Sequence, residues 1–266
     1  MSTSRTRAGV FAPVFSKIAP ALLSVGTLVV AWELYARFSG ISAIMLPAPS
    51  RVIGQALEHR QALFDNTLPT IRATVFGFGC SLTAAFVFSV LVDFSGRLRR
   101  ALFPVFIISQ TLPLVAIAPL VVLWFGFGLA PKIMLVALVT FFPMLVALVQ
   151  GYAATDDDIQ SLLASMGASR VRVFLLARLP SSLPYFFAGL RISITYAVVG
   201  AIFAEYAGAA KGLGIYILNA KNNFRPGLVL AAVLVCATLT LVLFGITVLI
   251  QRVAMPWERL DQGRRR

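Results

Sequence analysis

A chain of 266 residues that is 59% hydrophobic and 12% charged lacks the polar surface to cover a soluble core, since ordinary soluble domains carry about 25% charged residues. The net charge of +13 does not indicate a nucleic-acid binder, because its Lys and Arg are scattered between apolar runs instead of gathered on one face. Cys80 and Cys236, both in apolar stretches, and a lone His59 form no metal-ligand spacing.

A hydrocarbon layer of about 30 Å takes about 20 apolar residues in a helix, and that ruler predicts six spans. A basic tail over 1–17 leads into a retained first helix over 18–38, with no small-residue cleavage site of the kind a signal peptide carries. Glu33, near the far end of this helix, is expected at the membrane interface. An extracytoplasmic segment follows over 39–69, where Leu46-Pro47-Ala48-Pro49-Ser50 reads as an extended entry to an amphipathic helix.

The second span is predicted over 70–92 and the third over 102–125. Pro104, Pro113 and Pro119 interrupt the third, and backbone breaks at membrane depth are tolerated where protein or a water-filled cavity satisfies the freed groups. Gln110 and Thr111 lie near those breaks, either lining a pathway or bonding between helices. The fourth span, 131–151, carries Thr140 beside Pro143, a weaker candidate of the same kind.

The fifth, 183–206, carries Ser193, Thr195 and Tyr196, with Arg191 towards one end and Glu205 at the other. Arg191 reads as a snorkelling cation or a pathway group. Glu205 reads as a hydrated interfacial carboxylate or part of an outer gate. Gly189, Ala197, Gly200, Ala201 and Ala204 give this helix a close-packing face, turned to a neighbour in the chain or to a second copy. The segment 206–226, with Gly208, Gly212 and Gly214, precedes a short helix; a sixth span over 227–251 and a basic tail over 252–266 complete the chain.

Orientation follows from Lys and Arg in the short loops. With both termini on one side, 14 of them share that side and 7 lie opposite, which places the termini in the cytoplasm.

The loop over 155–180 is long for a bundle of short connections, and it is patterned. Thr155 with Asp158 has capping-box spacing, and Asp156, Asp157 and Asp158 suit a helix amino end. Ile159, Leu162, Leu163 and Met166 fall at i, i+3, i+4 and i+7, one apolar stripe. Gly167 ends this helix, Ser169 caps a second, and the chain runs back to the bilayer until Pro180. The stripe either packs beneath neighbouring spans or serves as a knob for a cytosolic partner's groove.

From Gly167 through Ala168 and Ser169 to Leu179-Pro180, the spacing resembles the loop signature of ABC-importer permeases: Glu-Ala-Ala, three residues, Gly, nine residues, Ile-x-Leu-Pro. Ser161, Leu162 and Leu163 stand where that family has Glu-Ala-Ala, and Ala177 where it has Ile, so the acidic residue available to that family for a salt bridge to its ATPase is missing here, while the docking shape is kept. Pro47-Ala48-Pro49-Ser50, Trp124-Phe125-Gly126, Phe142-Pro143, Leu183-Pro184, Ala188-Gly189-Leu190-Arg191, and Ala204-Glu205 with Gly212-Leu213-Gly214 extend the likeness to nitrate, sulfonate and taurine importer permeases over roughly 45–255. Gln110-Thr111-Leu112-Pro113 with Ala116-Ile117-Ala118-Pro119 looks most like the branch for hydroxymethylpyrimidine-type thiamine precursors.

The resemblance implies an all-α membrane protein with the type I importer permease fold: a five-helix core over 70–251 containing a cytoplasmic helix-turn-helix coupling loop. It implies a bacterial cytoplasmic (inner) membrane location, a cytosolic ABC ATPase dimer that docks on the loop, an extracytoplasmic solute-binding protein and a second permease copy, as a homodimer. No Gly-x-x-x-x-Gly-Lys-Ser/Thr run occurs, so ATP is expected on the partner chain and no cofactor or catalytic residue on this one. A secondary transporter working alone is the rival reading, but the sequence shows neither its inverted repeats nor its buried ionisable residues. A membrane enzyme would need a catalytic constellation, and the three adjacent aspartates diverge on a helix turn.

Overall fold

The computed structural model describes residues 12–256, so 1–11 and 257–266, most of the two expected basic tails, lie outside it. The described chain is built of helices, as a lipid solvent requires of a backbone that must satisfy its own N–H and C=O groups. Hydroxyls inside the apolar helices are satisfied locally: Thr27 donates to the Leu23 carbonyl (2.8 Å), Thr83 to Gly79 (2.9 Å) and Thr238 to Leu234 (2.8 Å).

Two compact units divide the chain. The first takes residues up to Arg60 and Ala220–Ala231. In it α1 (Ala12–Phe38) is tied to α2 (Pro49–Glu58) by Glu33, whose carboxylate accepts from the Ser50 N–H at 2.9 Å and the Ser50 hydroxyl at 2.7 Å. Ala48, the residue preceding α2, has no side chain with which to cap it, and Glu33 supplies that function from α1. Glu33, expected as an interfacial charge, is thus a capping residue that also pairs with Arg37. The same unit contains Phe224, the described non-glycine residue with positive φ (52°). It closes α10 (Leu213–Asn222), with its own N–H on the Lys221 carbonyl and the Arg225 N–H on Ala220.

The second unit takes Gln61–Asn219 and the chain from Ala232. Its spine is the pair α6 (Leu129–Ala153) and α9 (Leu179–Gly208), the most extensive helix contact in the described chain. Glycine makes that approach possible: a Cβ on Gly189 would lie 2.5 Å from the Ala147 Cβ, and one on Gly151 2.7 Å from the Ser182 Cα. The small-residue face of α9 is therefore used within the chain, with Ala197, Ala201 and Ala204 fully buried. Phe88 of α3 (Arg60–Phe94), Phe106 of α4 (Gly96–Thr111) and Phe141 of α6 meet edge to face at 5.1–5.8 Å.

Four described helices, α3, α6, α11 (Pro226–Ala254) and the run ending in α9, are long and apolar enough to cross a membrane. The expected third span is not one helix: α4 and α5 (Leu114–Phe125) meet at 100° across Leu112-Pro113. Proline at 113 withdraws an N–H and pushes Leu112 into extended backbone, whereas Pro104 and Pro119 sit inside their helices. Helix α3 begins at Arg60, ten residues before the predicted span, and runs on through Pro69.

Candidate functional site

The loop over 155–180 folds as α7 (Asp157–Ser165), a turn at Gly167, α8 (Arg170–Val173) and a π-helical turn Phe174–Arg178. Two local expectations are corrected. Asp156, not Thr155, caps α7, accepting from the Asp158 N–H at 2.8 Å, while the Thr155 hydroxyl is buried without a hydrogen-bond partner. The second helix does not stop at Pro180: Arg170–Gly208 runs as one 39-residue segment. Pro180 cannot donate to the carbonyl four residues back, and the wider π turn just before it absorbs the missing bond.

Gly167, at φ 79°, closes α7 with the bonds Gly167 N–H to Ala164 (2.9 Å) and Ala168 N–H to Leu163 (3.0 Å). Ser169 then caps α8 through the Arg172 N–H. The stripe does not pack beneath the spans. Leu162 is 62% and Met166 76% exposed, Ile159 is also exposed, and only Leu163 is half-buried. Leu179 and Pro180 lie where the loop passes into α9.

The opposite face of α7 is held. Arg178 donates to both oxygens of Asp93 at the end of α3 (2.9 Å each) and to Gln160 Oε1 of α7 (3.0 and 2.7 Å). Gln160 Nε2 donates in turn to the Thr155 carbonyl at 3.1 Å. These residues border a cavity of about 540 Å³ between α7, α8 and the end of α3. Sequence reasoning placed Arg178 only as one loop cation and missed Asp93; the available signal was a single carboxylate closing an apolar span beside Arg97, Arg99 and Arg100.

At the other end of α9, Glu205 is not hydrated from outside: its exposure is 0%. It accepts from Thr70 Oγ1 (2.9 and 3.0 Å) and the Gly214 N–H (2.8 Å), and pairs with Lys132 at 3.7 Å. Lys132 is buried and donates to the Lys211 carbonyl at 3.1 Å. Asn66 and Thr70 accept from the N–H groups of Gly212 and Leu213 at 3.0 and 2.9 Å. The segment after α9 is thus fastened by Asn66 and Thr70 of α3, Lys132 of α6 and Glu205 of α9 itself.

The remaining pathway candidates do not converge. Gln110 is exposed and donates to the Leu138 carbonyl at 3.3 Å, while Thr111, also exposed, bonds Ile108. Thr140 is buried in the α6–α9 contact, its hydroxyl on Val136 and its carbonyl accepting from Ser193 at 3.0 Å. Arg191 donates to the Gln251 side chain of α11. No group of three or more His, Cys, Asp or Glu residues placed to hold a metal occurs among the described residues.

A family model described as a binding-protein-dependent transport system inner membrane component matches residues 77–257. A probable ABC transporter permease protein of Haemophilus influenzae is 33% identical over 223 residues, covering 84% of this chain and 91% of that protein. The formylaminopyrimidine transport permease protein ThiX of Halalkalibacterium halodurans is 32% identical over 233 residues, 87% and 93% of the two chains. In fold, the chain is similar to the inward-facing MetNI methionine ABC transporter, with a TM-score of 0.59 at 16% identity over 73% of this chain and 94% of that one.

Proposed function

We propose a function from one premise: the chain belongs to the family of binding-protein-dependent transport system inner membrane components. It is the permease subunit of an ABC importer of a small solute. Finer points are our own reading. Helix α1 and the bent pair α4–α5 join the four long apolar helices to make six spans, with both termini and the loop 155–180 in the cytoplasm.

The observation that carries this reading is the exposed stripe of Ile159, Leu162 and Met166 on a helix with no buried residue. Soluble surfaces do not leave such a row bare without a partner, and a helix presenting anchors at i, i+3 and i+7 fits a hydrophobic groove. The groove belongs to a cytosolic ATPase dimer, and two copies of this permease sit on it. An extracytoplasmic binding protein delivers the solute; exposed Phe224, held at positive φ beside a polar cleft lined by Arg51 and Arg225, is suited to receive it.

The solute is a pyrimidine precursor of thiamine, by likeness to ThiX. The rival reading, a secondary transporter, would draw on a buried ionisable pair such as Glu205 and Lys132, which the sequence did not reveal; the family match favours the importer. The test is Leu162→Asp with Met166→Asp. The variant inserts normally but no longer co-purifies with the ATPase, whereas retained co-purification refutes docking through α7. Stabilisation of the cognate binding protein by formylaminopyrimidine, and not by taurine, checks the solute.

A further inference from the structure

The family signature runs through Gly167, Leu179 and Pro180 but assigns no role to Arg178, which lies between them and has the densest polar contacts of the loop. Arg178 touches three elements at once: its own π turn at the head of α9, the end of α3 through Asp93, and α7 through Gln160. Its guanidinium is about one-third exposed and the Asp93 side chain less, so the pair is only partly screened by solvent. A planar fork donating in two directions fixes the angle between its acceptors as well as their distance, which an ammonium on a flexible stem does not.

Apolar packing follows the same three-way junction. Phe174, in the π turn, meets Phe94 of α3 at 5.4 Å and Tyr152 of α6 at 5.1 Å. The Tyr152 hydroxyl shares a hydrogen bond of 3.1 Å with Ser89 of α3. By contrast α7 has no fully buried residue, and only Leu163 of its apolar stripe is half-buried. Its outer face is bare, and the cavity of about 540 Å³ beside it leaves room for it to tilt. What holds α7 at a set angle is polar, and it passes through one guanidinium.

We infer that Arg178 is a positioning residue for energy coupling: through Asp93 and Gln160 it makes α7, the head of α9 and the end of α3 move as one body, so that displacement of α7 by a partner reaches two spans together. This rests on the proposed docking of the ATPase on α7. Without the clamp, α7 still binds the partner but swings on the Gly167 turn, and the partner's stroke is spent in that hinge.

The experiment uses the whole complex of permease, ATPase and binding protein in proteoliposomes, with uptake and ATP hydrolysis measured together. Arg178→Ala keeps the ATPase bound and hydrolysis within about twofold, while solute moved per ATP falls about tenfold, the scale of one lost charge-assisted contact. Gln160→Ala leaves the Asp93–Arg178 pair intact, so it inserts even if Arg178→Ala does not, and it lowers uptake per ATP in the same direction. The exchange Asp93→Arg with Arg178→Asp restores uptake per ATP to within about threefold of the original, which a general loss of stability would not allow.

Unchanged uptake per ATP in Gln160→Ala and Arg178→Ala overturns the inference while leaving docking intact. Co-purification surviving Leu162→Asp with Met166→Asp overturns docking itself, and the two failures are read on different measurements.

Discussion

Glu205 carries the most consequential chemistry of any single side chain in the described structure. A carboxylate with no solvent exposure is stable only because Thr70, the Gly214 N–H and Lys132 surround it. Removing one partner is therefore far worse than removing both. Glu205→Ala strands Lys132 and is expected to cost about 3–5 kcal/mol, whereas Glu205→Met with Lys132→Met recovers most of that loss, because apolar side chains replace buried ion pairs well. Unfolding midpoints in detergent check the difference; a double variant as unstable as the single one would mean that the pair does not set the stability of this end. The sequence showed that a charge stood at the end of an apolar run. It did not show burial, because Thr70 lies 135 residues from Glu205 along the chain and reaches it only once α3 and α9 are packed.

At the scale of elements, apolar run length and proline positions located the long helices, since a lipid solvent permits little else. Continuity was harder to read. Pro113 and Pro180 look alike as helix breakers, yet one lies at a bend of 100° and the other follows a π turn without a break. The difference lies in what packs alongside: Phe174 and Ala177 are buried in the second unit and keep the π turn in line. The cap of α7 was misread by one residue because Thr155 and Asp156 both suit the position, and the buried Thr155 hydroxyl makes no hydrogen bond to the helix end.

Asp156→Ala is accordingly expected to cost about 1 kcal/mol of α7 stability, seen as faster amide exchange over 157–165, with Thr155→Val leaving that exchange unchanged. Close packing of α6 on α9 gives a second test. Gly151→Val or Gly189→Val drives a branched side chain into the facing helix, where even an added Cβ would lie within 2.5–2.7 Å of the nearest atom, at a cost of about 1–3 kcal/mol each. Gly79→Ala has no neighbour within 4 Å and is expected to be neutral or stabilising by up to about 1 kcal/mol. Thermal unfolding of the three variants side by side separates packing from helix propensity.

For the whole molecule, half of the most apolar stretch of the Arg170–Gly208 segment is buried but only 11% of that of α11. The first is core, and the second presents its apolar side chains to lipid or to a second copy. The functional reading then turns on sidedness, because the stripe of α7 and the sealed Glu205 end lie towards opposite ends of α9. The proposed sidedness rests on the distribution of Lys and Arg along the sequence. With Cys80 and Cys236 replaced by Ser, a cysteine at Ser165 is expected to react with a membrane-impermeant maleimide only after the cells are opened, and one at Ala210 in intact spheroplasts. The two positions must give opposite answers, since one helix separates them. Labelling of Ser165→Cys from outside would put the bare face of α7 where no ATP is available, and a nucleotide-driven stroke could not enter the spans through it.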